Sequence, residues 1–281
     1  MLEFVDVEYY YDSDMPGATP ALRDINLKIE DGEFVGIIGH TGSGKSTLVQ
    51  HMNGLLNPTK GKYIYDGTVI DAKSGNLKEL RAKVGLVFQY PEHQLFEATV
   101  LEDVCFGPKN MGLTDDECKK RAVEALDKVG VDAKYYDASP FELSGGQKRR
   151  VAIAGVLAMS PRVLVLDEPT AGLDPEGRHD LLNMLKTLND EGMTIVLVSH
   201  SMDDVAKYAR RLVVIDNAYI AFDGTPTEVF SHKSELVNMG LNVPQITGIM
   251  QSLKSNGFDV DDTLFDVDAA AESIMKCLDR K

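Results

Sequence analysis

Apolar residues in this chain fall into short, β-rich runs that alternate with stretches of helical spacing. Leu2–Tyr10 and Ala21–Ile29 alternate as two strands joined by the Asp-, Pro- and Gly-rich loop Asp12–Pro20. Glu33–Ile38 reads as a strand buried on both faces, and it leads into a Gly-rich loop with a helix beginning near Lys45. Gly61–Tyr65 and Val84–Gln89 read as further strands. From Thr99 to about Met159 the spacing is helical, most clearly at Asp115–Val129. Strand patterns return at Val163–Asp167, Thr194–Ser199 and Leu212–Asp216, separated by the helical run Glu176–Asn189. This alternation predicts an α/β fold, a mostly parallel sheet with helices on its faces. After Gly224 the texture changes: Thr225–Phe230 has the form of a capped helix start, and Val243–Leu253 and Val267–Leu278 predict two short helices about the turn Ser255–Gly257. Residues from about 225 onward read as a C-terminal extension. Internal repeats, low-complexity stretches and heptad arrays are absent from the sequence.

A chain of 281 residues accommodates one large α/β domain with a modest appendage, or two small domains. No run approaches the ~18 apolar residues of a membrane-spanning helix. The longest, Val151–Met159 and Met193–Val198, are short enough for buried core elements. Met1–Asp6 lacks a basic region followed by an apolar stretch, so no secretory leader is expected. If the protein works at a membrane, it works from the surface. The formal charge of −15 argues against broad binding to nucleic acid or anionic lipid, both polyanions. Cys105, Cys118 and Cys277 lack the close pairing of a metal site or a disulfide framework and read as reduced thiols.

The strongest chemical signal is Gly39-His40-Thr41-Gly42-Ser43-Gly44-Lys45-Ser46, a match to GxxxxGK[ST] that follows a predicted strand and opens a predicted helix into Thr47. Glycines let the backbone fold tightly enough for several N–H groups to converge on phosphate, and the helix adds the positive end of its dipole. Lys45 supplies a point charge for the β- and γ-phosphates, and the Ser46 hydroxyl is a candidate Mg²⁺ ligand. Kinases, GTPases, helicases and transport ATPases share such a loop, so other residues must choose among them. Val163–Leu166 followed by Asp167-Glu168 is an apolar strand ending in two acids. Asp167 is placed to hold Mg²⁺, and Glu168 to orient and deprotonate the attacking water. Leu143-Ser144-Gly145-Gly146-Gln147 opens a helix that Ser144 can cap. It is therefore a second anion-binding helix N-terminus, suited to the γ-phosphate held by a partner subunit.

In this order, the motifs resemble the nucleotide-binding subunit of ABC transporters over about residues 2–225. The resemblance implies an ABC nucleotide-binding domain over 1–225, with a RecA-like parallel sheet core, an antiparallel β subdomain and a helical subdomain at about 90–158. It further implies that Gln89 is the glutamine that senses Mg²⁺ and the γ-phosphate. Ala171-Gly172-Leu173-Asp174 would be the loop that crosses the dimer interface, His200 the switch histidine, and Tyr11 the aromatic that stacks on adenine. Because Glu168, Lys45, Ser144, Gln147 and His200 are all present, a competent ATPase using ATP and Mg²⁺ is expected rather than a regulatory module that only holds ATP. One uninterrupted cassette in an acidic chain speaks against a repair or translation ATPase.

The stretch Phe88-Gln89-Tyr90-Pro91-Glu92-His93-Gln94-Leu95-Phe96-Glu97-Ala98-Thr99-Val100, with Gly39-His40-Thr41-Gly42 and Leu143–Met159, is similar to the ATPases of energy-coupling factor importers of vitamins and transition-metal ions, most like the second of their two ATPase subunits. Leu241-Asn242-Val243-Pro244 and Asn256-Gly257-Phe258-Asp259 resemble that family's extension, here 226–281, which helps hold two ATPases together. The implied partners are a homologous ATPase, a transmembrane coupling subunit docking near Gln89, Glu92, Leu95 and Phe96, and an interchangeable membrane substrate-binding subunit. The implied location is the cytoplasmic face of the cell membrane. The alternative is a homodimeric ATPase of a cobalt or nickel importer.

Overall fold

The computed structural model describes residues 1–11, 17–71 and 77–279. Residues 12–16 of the predicted loop Asp12–Pro20 therefore lie outside the described residues. The chain begins with strands β1 (Leu2–Tyr9), β2 (Leu22–Ile29) and β3 (Phe34–Ile38), helix α1 (Lys45–Met52), strands β4 (Lys60–Tyr65) and β5 (Thr68–Ile70), helix α2 (Leu77–Lys83) and strand β6 (Val84–Val87). Helices α3 (Val100–Met111), α4 (Asp115–Lys128) and α5 (Gly145–Leu157) follow. Next come β7 (Val163–Asp167), α6 (Pro175–Asp190), β8 (Thr194–Val198), α7 (Met202–Tyr208), β9 (Arg211–Asp216) and β10 (Tyr219–Gly224). The chain ends in α8 (Pro226–Ser231), α9 (Lys233–Asn238), α10 (Gln245–Ser255) and α11 (Val267–Leu278).

The strands form two sheets. A six-stranded sheet has the order β10-β9-β3-β8-β7-β6, parallel except for the β9–β10 hairpin. An antiparallel four-stranded sheet has the order β2-β1-β4-β5. In β3, β7 and β8 every residue is buried, as continuous Val/Ile/Leu runs require when helices or a second sheet cover both faces. Leu166, Leu197 and Val214 pack toward the helical side, whereas Val165, Val196 and Val213 pack toward the antiparallel sheet. This is the period-2 alternation of a strand expressed as two cores.

The predicted parallel sheet and the helical stretch are both present. In α4 the residues Cys118, Ala122, Ala125 and Leu126 form the buried stripe, while Thr114 caps the helix and Asp115, Asp116 and Glu117 face its positive end. Elements α2, α7, α9, β5 and β10 were not legible from pattern. Helix α2 buries only Leu80, and β10 turns back from β9 through Asn217 and Ala218, both at positive φ rather than at a glycine. The packing does not divide at residue 225: Val229, Phe230, Leu236 and Leu241 join the main core. A separate small core of Met250, Val260, Ala270 and Cys277 lies in the α10–α11 unit.

Candidate functional site

The strand order explains the site. β3, β8, β7 and β6 are neighbours, so the segments leaving their carboxyl ends meet along one edge. From β3 comes the loop Gly39–Ser46. Gly42 and Gly44 have φ of 82° and 115°, and a Cβ on Gly44 would sit 2.5 Å from the Ala21 carbonyl oxygen, so this turn closes only with glycine there. Gly44 starts α1 without any side-chain cap, leaving the first-turn N–H groups of α1 directed into the loop. Lys45 is buried and donates to the carbonyls of Gly39 and His40, both at 2.8 Å. Burial lowers its pKa from the ordinary lysine range, with the charges of Glu168 and Asp167 opposing. His40 is anchored in turn, Nδ1 2.8 Å from the Thr41 carbonyl and Nε2 3.2 Å from Asp216. Ser43 is buried, and its hydroxyl, close to Gly39, has no hydrogen-bond partner among the described residues. Tyr11 reaches the same loop: its hydroxyl lies 2.9 Å from Thr47 Oγ1, its ring packs edge-on against Tyr9, and it is 58% exposed.

From β7 come the two acids. Asp167 is buried, which pushes its pKa above the ordinary carboxylate range against the Ser46 hydroxyl, Lys45 and His200. Glu168 adopts φ 50°, a left-handed conformation that turns its side chain out of the strand direction. Its carboxylate receives His200 Nε2 at 2.6 Å and Gln89 Nε2 at 3.3 Å. β6 ends at Val87, two residues before Gln89, which leaves Gln89 free to turn toward Glu168. Asp167 and the Ser46 hydroxyl are hard oxygen donors on adjacent elements, and no group of three His, Cys, Asp or Glu side chains suited to a metal occurs among the described residues. That donor set fits an ion such as Mg²⁺, which takes one or two protein ligands and completes its shell from phosphate and water.

Tyr11, Gly39–Thr47, Gln89, Asp167, Glu168 and His200 therefore converge. Ser144–Gln147 and Asp174 do not join them. Ser144 and Gln147 form a reciprocal capping box on α5, with Gln147 N donating to Ser144 Oγ at 3.3 Å and Ser144 N to Gln147 Oε1 at 2.9 Å. Nothing lies within 4 Å of a Cβ built on Gly145 or Gly146, so this helix start faces open space. Asp174 caps α6 by accepting from Gly177 N at 3.0 Å. Ser144, Gly146, Gln147 and Asp174 line a cavity of about 550 Å³ to which no residue of the phosphate loop contributes.

The expected docking residues sit in three different settings. Both Glu92 oxygens accept from Arg149, at 2.7 and 3.0 Å. Leu95 is buried in the main core and only floors the adjoining groove. Phe96 is 55% exposed and, edge-on against Phe106 at 4.9 Å, borders an apolar groove of about 550 Å³ with Phe88, Met111 and Met159. Sequence reasoning missed Arg149. Its spacing to Ile153 and Leu157, four residues each, matched a buried helix stripe and was the available signal.

A family model described as ABC transporter matches residues 22–171. The energy-coupling factor transporter ATP-binding protein EcfA2 of Caldanaerobacter subterraneus subsp. tengcongensis is 52% identical over 274 residues, covering 97% of this chain and 96% of that protein. EcfA2 of Clostridium tetani is 51% identical over 282 residues, covering 100% of this chain and 98% of the relative. Among solved structures, cbiO1 from Clostridium perfringens, part of the ABC transporter complex cbiONQ, superposes with a TM-score of 0.76 at 41% identity, covering 89% of this chain and 98% of that one. A dimeric post-hydrolysis state of the ATP-binding cassette MJ0796 bound to ADP and Pi gives a TM-score of 0.72 at 32% identity, covering 80% and 99%.

Proposed function

As the chain belongs to the ABC transporter family, and within it to the energy-coupling factor transporter ATP-binding proteins, we propose that it is the ATP-hydrolysing subunit of an importer for a vitamin or other micronutrient. The observation that carries this reading is the pinned carboxylate of Glu168. It is held by His200 and Gln89 on the sheet edge that also carries the buried Lys45. The loop Gly39–Thr47 binds the phosphates through backbone N–H groups, and Tyr11 stacks on the base. Glu168 orients and deprotonates the attacking water, and His200 keeps the carboxylate aimed. Ser46 and Asp167, with Gln89 close by, would hold a Mg²⁺ ion, which would neutralise phosphate charge.

The outward-facing helix start at Ser144–Gln147 supports a dimeric site, in which it meets the γ-phosphate held by a second, homologous ATPase. Asp174 lies on that same face. The groove bordered by Phe96 and Phe106 suits an apolar helix of a transmembrane coupling subunit, with a separate membrane subunit selecting the substrate. Ile249, Val267, Met275 and Leu278 are exposed on α10 and α11 and support a dimer-holding role for the 226–281 extension. No helix among the described residues is long and apolar enough to cross a membrane, which suits peripheral attachment at the cytoplasmic face through the coupling subunit. Replacing Glu168 by Gln keeps the shape and removes the base. ATP binding should persist while phosphate release falls by about 100-fold or more. Release at the parental rate would overturn the assignment of Glu168.

A further inference from the structure

We propose that Arg149 is a positioning residue for hydrolysis, its guanidinium registering the helix that begins at Ser144 against the turn that carries Glu168. The proposal rests on the ATPase reading above and extends it to a residue that reading does not use. Of the consecutive basic residues Lys148, Arg149 and Arg150, only Arg149 is turned inward, at 3% exposure. Four hydrogen bonds hold it. Nε and Nη2 donate to Glu92 at 3.0 and 2.7 Å, and Nη1 donates to the carbonyls of Pro169 at 2.9 Å and Ala171 at 2.7 Å.

Those acceptors lie on the two segments that set the Glu168 carboxylate. Pro169 directly follows Glu168, and Ala171 N closes the same turn by donating to the Glu168 carbonyl at 3.2 Å. Glu92 lies on the short 3-10 turn Pro91–Gln94, just past Gln89, whose amide donates to Glu168 Oε2. Tyr90 between them is locked at φ 55°. Arg149 thus ties α5 to the backbone behind Glu168 and to the turn that aims Gln89 at it. Burial would raise the Glu92 pKa, yet the hydrogen bonds and charge of Arg149 hold it below the ordinary glutamate range, so the pair is ionised. Guanidinium is the group that can do this, because its planar fork reaches acceptors in several directions at once. The single nitrogen of lysine would keep the charge but not the span.

The test is phosphate release and ATP affinity, measured on the full chain within its purified transporter complex. Arg149→Lys should lower kcat by about tenfold or more while the Kd for ATP stays within about twofold, a split that a general loss of folding would not produce. Glu92→Gln keeps a neutral acceptor and should lower kcat by about threefold, and the double variant should be no slower than Arg149→Lys alone, because both act through one clamp. Turnover of Arg149→Lys within about twofold of the parent would overturn the proposal, as would multiplicative losses in the double variant. If Arg149→Lys does not fold, Glu92→Gln decides: an unchanged kcat there overturns the proposal. A parent that releases no phosphate overturns the ATPase reading itself, whereas an active parent with an equally active Arg149→Lys overturns only the role of Arg149.

Discussion

Replacing His200 by Ala removes the 2.6 Å contact to the Glu168 carboxylate. Among the described residues, the Glu168 carboxylate has two side-chain donors, His200 Nε2 at 2.6 Å and Gln89 Nε2 at 3.3 Å. The second is near the limit of a useful hydrogen bond, so His200 carries most of the orientation. A hydrogen bond to a charged group is worth about 1.5–3 kcal/mol, which corresponds to roughly 10- to 150-fold in rate at about 1.4 kcal/mol per decade. The His200 side chain is 45% exposed, and water can take over part of its role, so the lower end applies: a fall of about 10- to 30-fold in kcat. The phosphate loop is untouched, so KM for ATP should stay within about threefold. The assay is steady-state phosphate release, with Glu168→Gln and the double variant in parallel. Because His200 acts through Glu168, the double variant should be no slower than Glu168→Gln alone. A single variant within about twofold of the parent, or a further tenfold loss in the double, would show that His200 does not act by orienting Glu168.

Asp167→Asn should abolish hydrolysis yet raise thermal stability at neutral pH. The folded pKa of Asp167 lies above its unfolded value, so the folded state binds more protons than the unfolded one and stability falls as pH rises through the raised pKa. The neutral Asn escapes that cost, so Tm should rise at neutral pH, and calorimetry should show the gain shrinking as pH is lowered; a lower Tm at pH 7 would count against it. Phe96→Asp should leave Tm within about 2 °C, since the ring is exposed, while the membrane coupling subunit is lost on co-purification; full retention would remove Phe96 from the docking surface.

How much was legible in the sequence follows from how local each signal is. The phosphate loop needs only its own glycines and the strand before it, and the acidic pair needs only the apolar run Val163–Leu166, so both could be read directly. The capping box at Ser144 is equally local, with Gln147 three residues on. Glu92 is the counterexample. Its chemistry is set by Arg149, 57 residues away, and periodicity along one segment does not reveal a cross-segment ion pair. The exposed Phe96 and buried Leu95 are adjacent in a loop, where no period decides which faces in. The short elements α7 and β5 escaped because each spans too few residues for a period to show, and the packing of Phe230 and Leu236 into the main core escaped because distant segments build that core.

Enclosure of ATP between the Lys45 loop of one subunit and the Ser144 helix start of another is tested by the solution mass, from light scattering, of Glu168→Gln together with its partner ATPase, with and without MgATP. A nucleotide-dependent dimer that retains ATP is expected, and Ser144→Arg, which fills the facing helix start, should prevent it from forming. A mass that ignores ATP, or a dimer indifferent to Ser144→Arg, would contradict that enclosure.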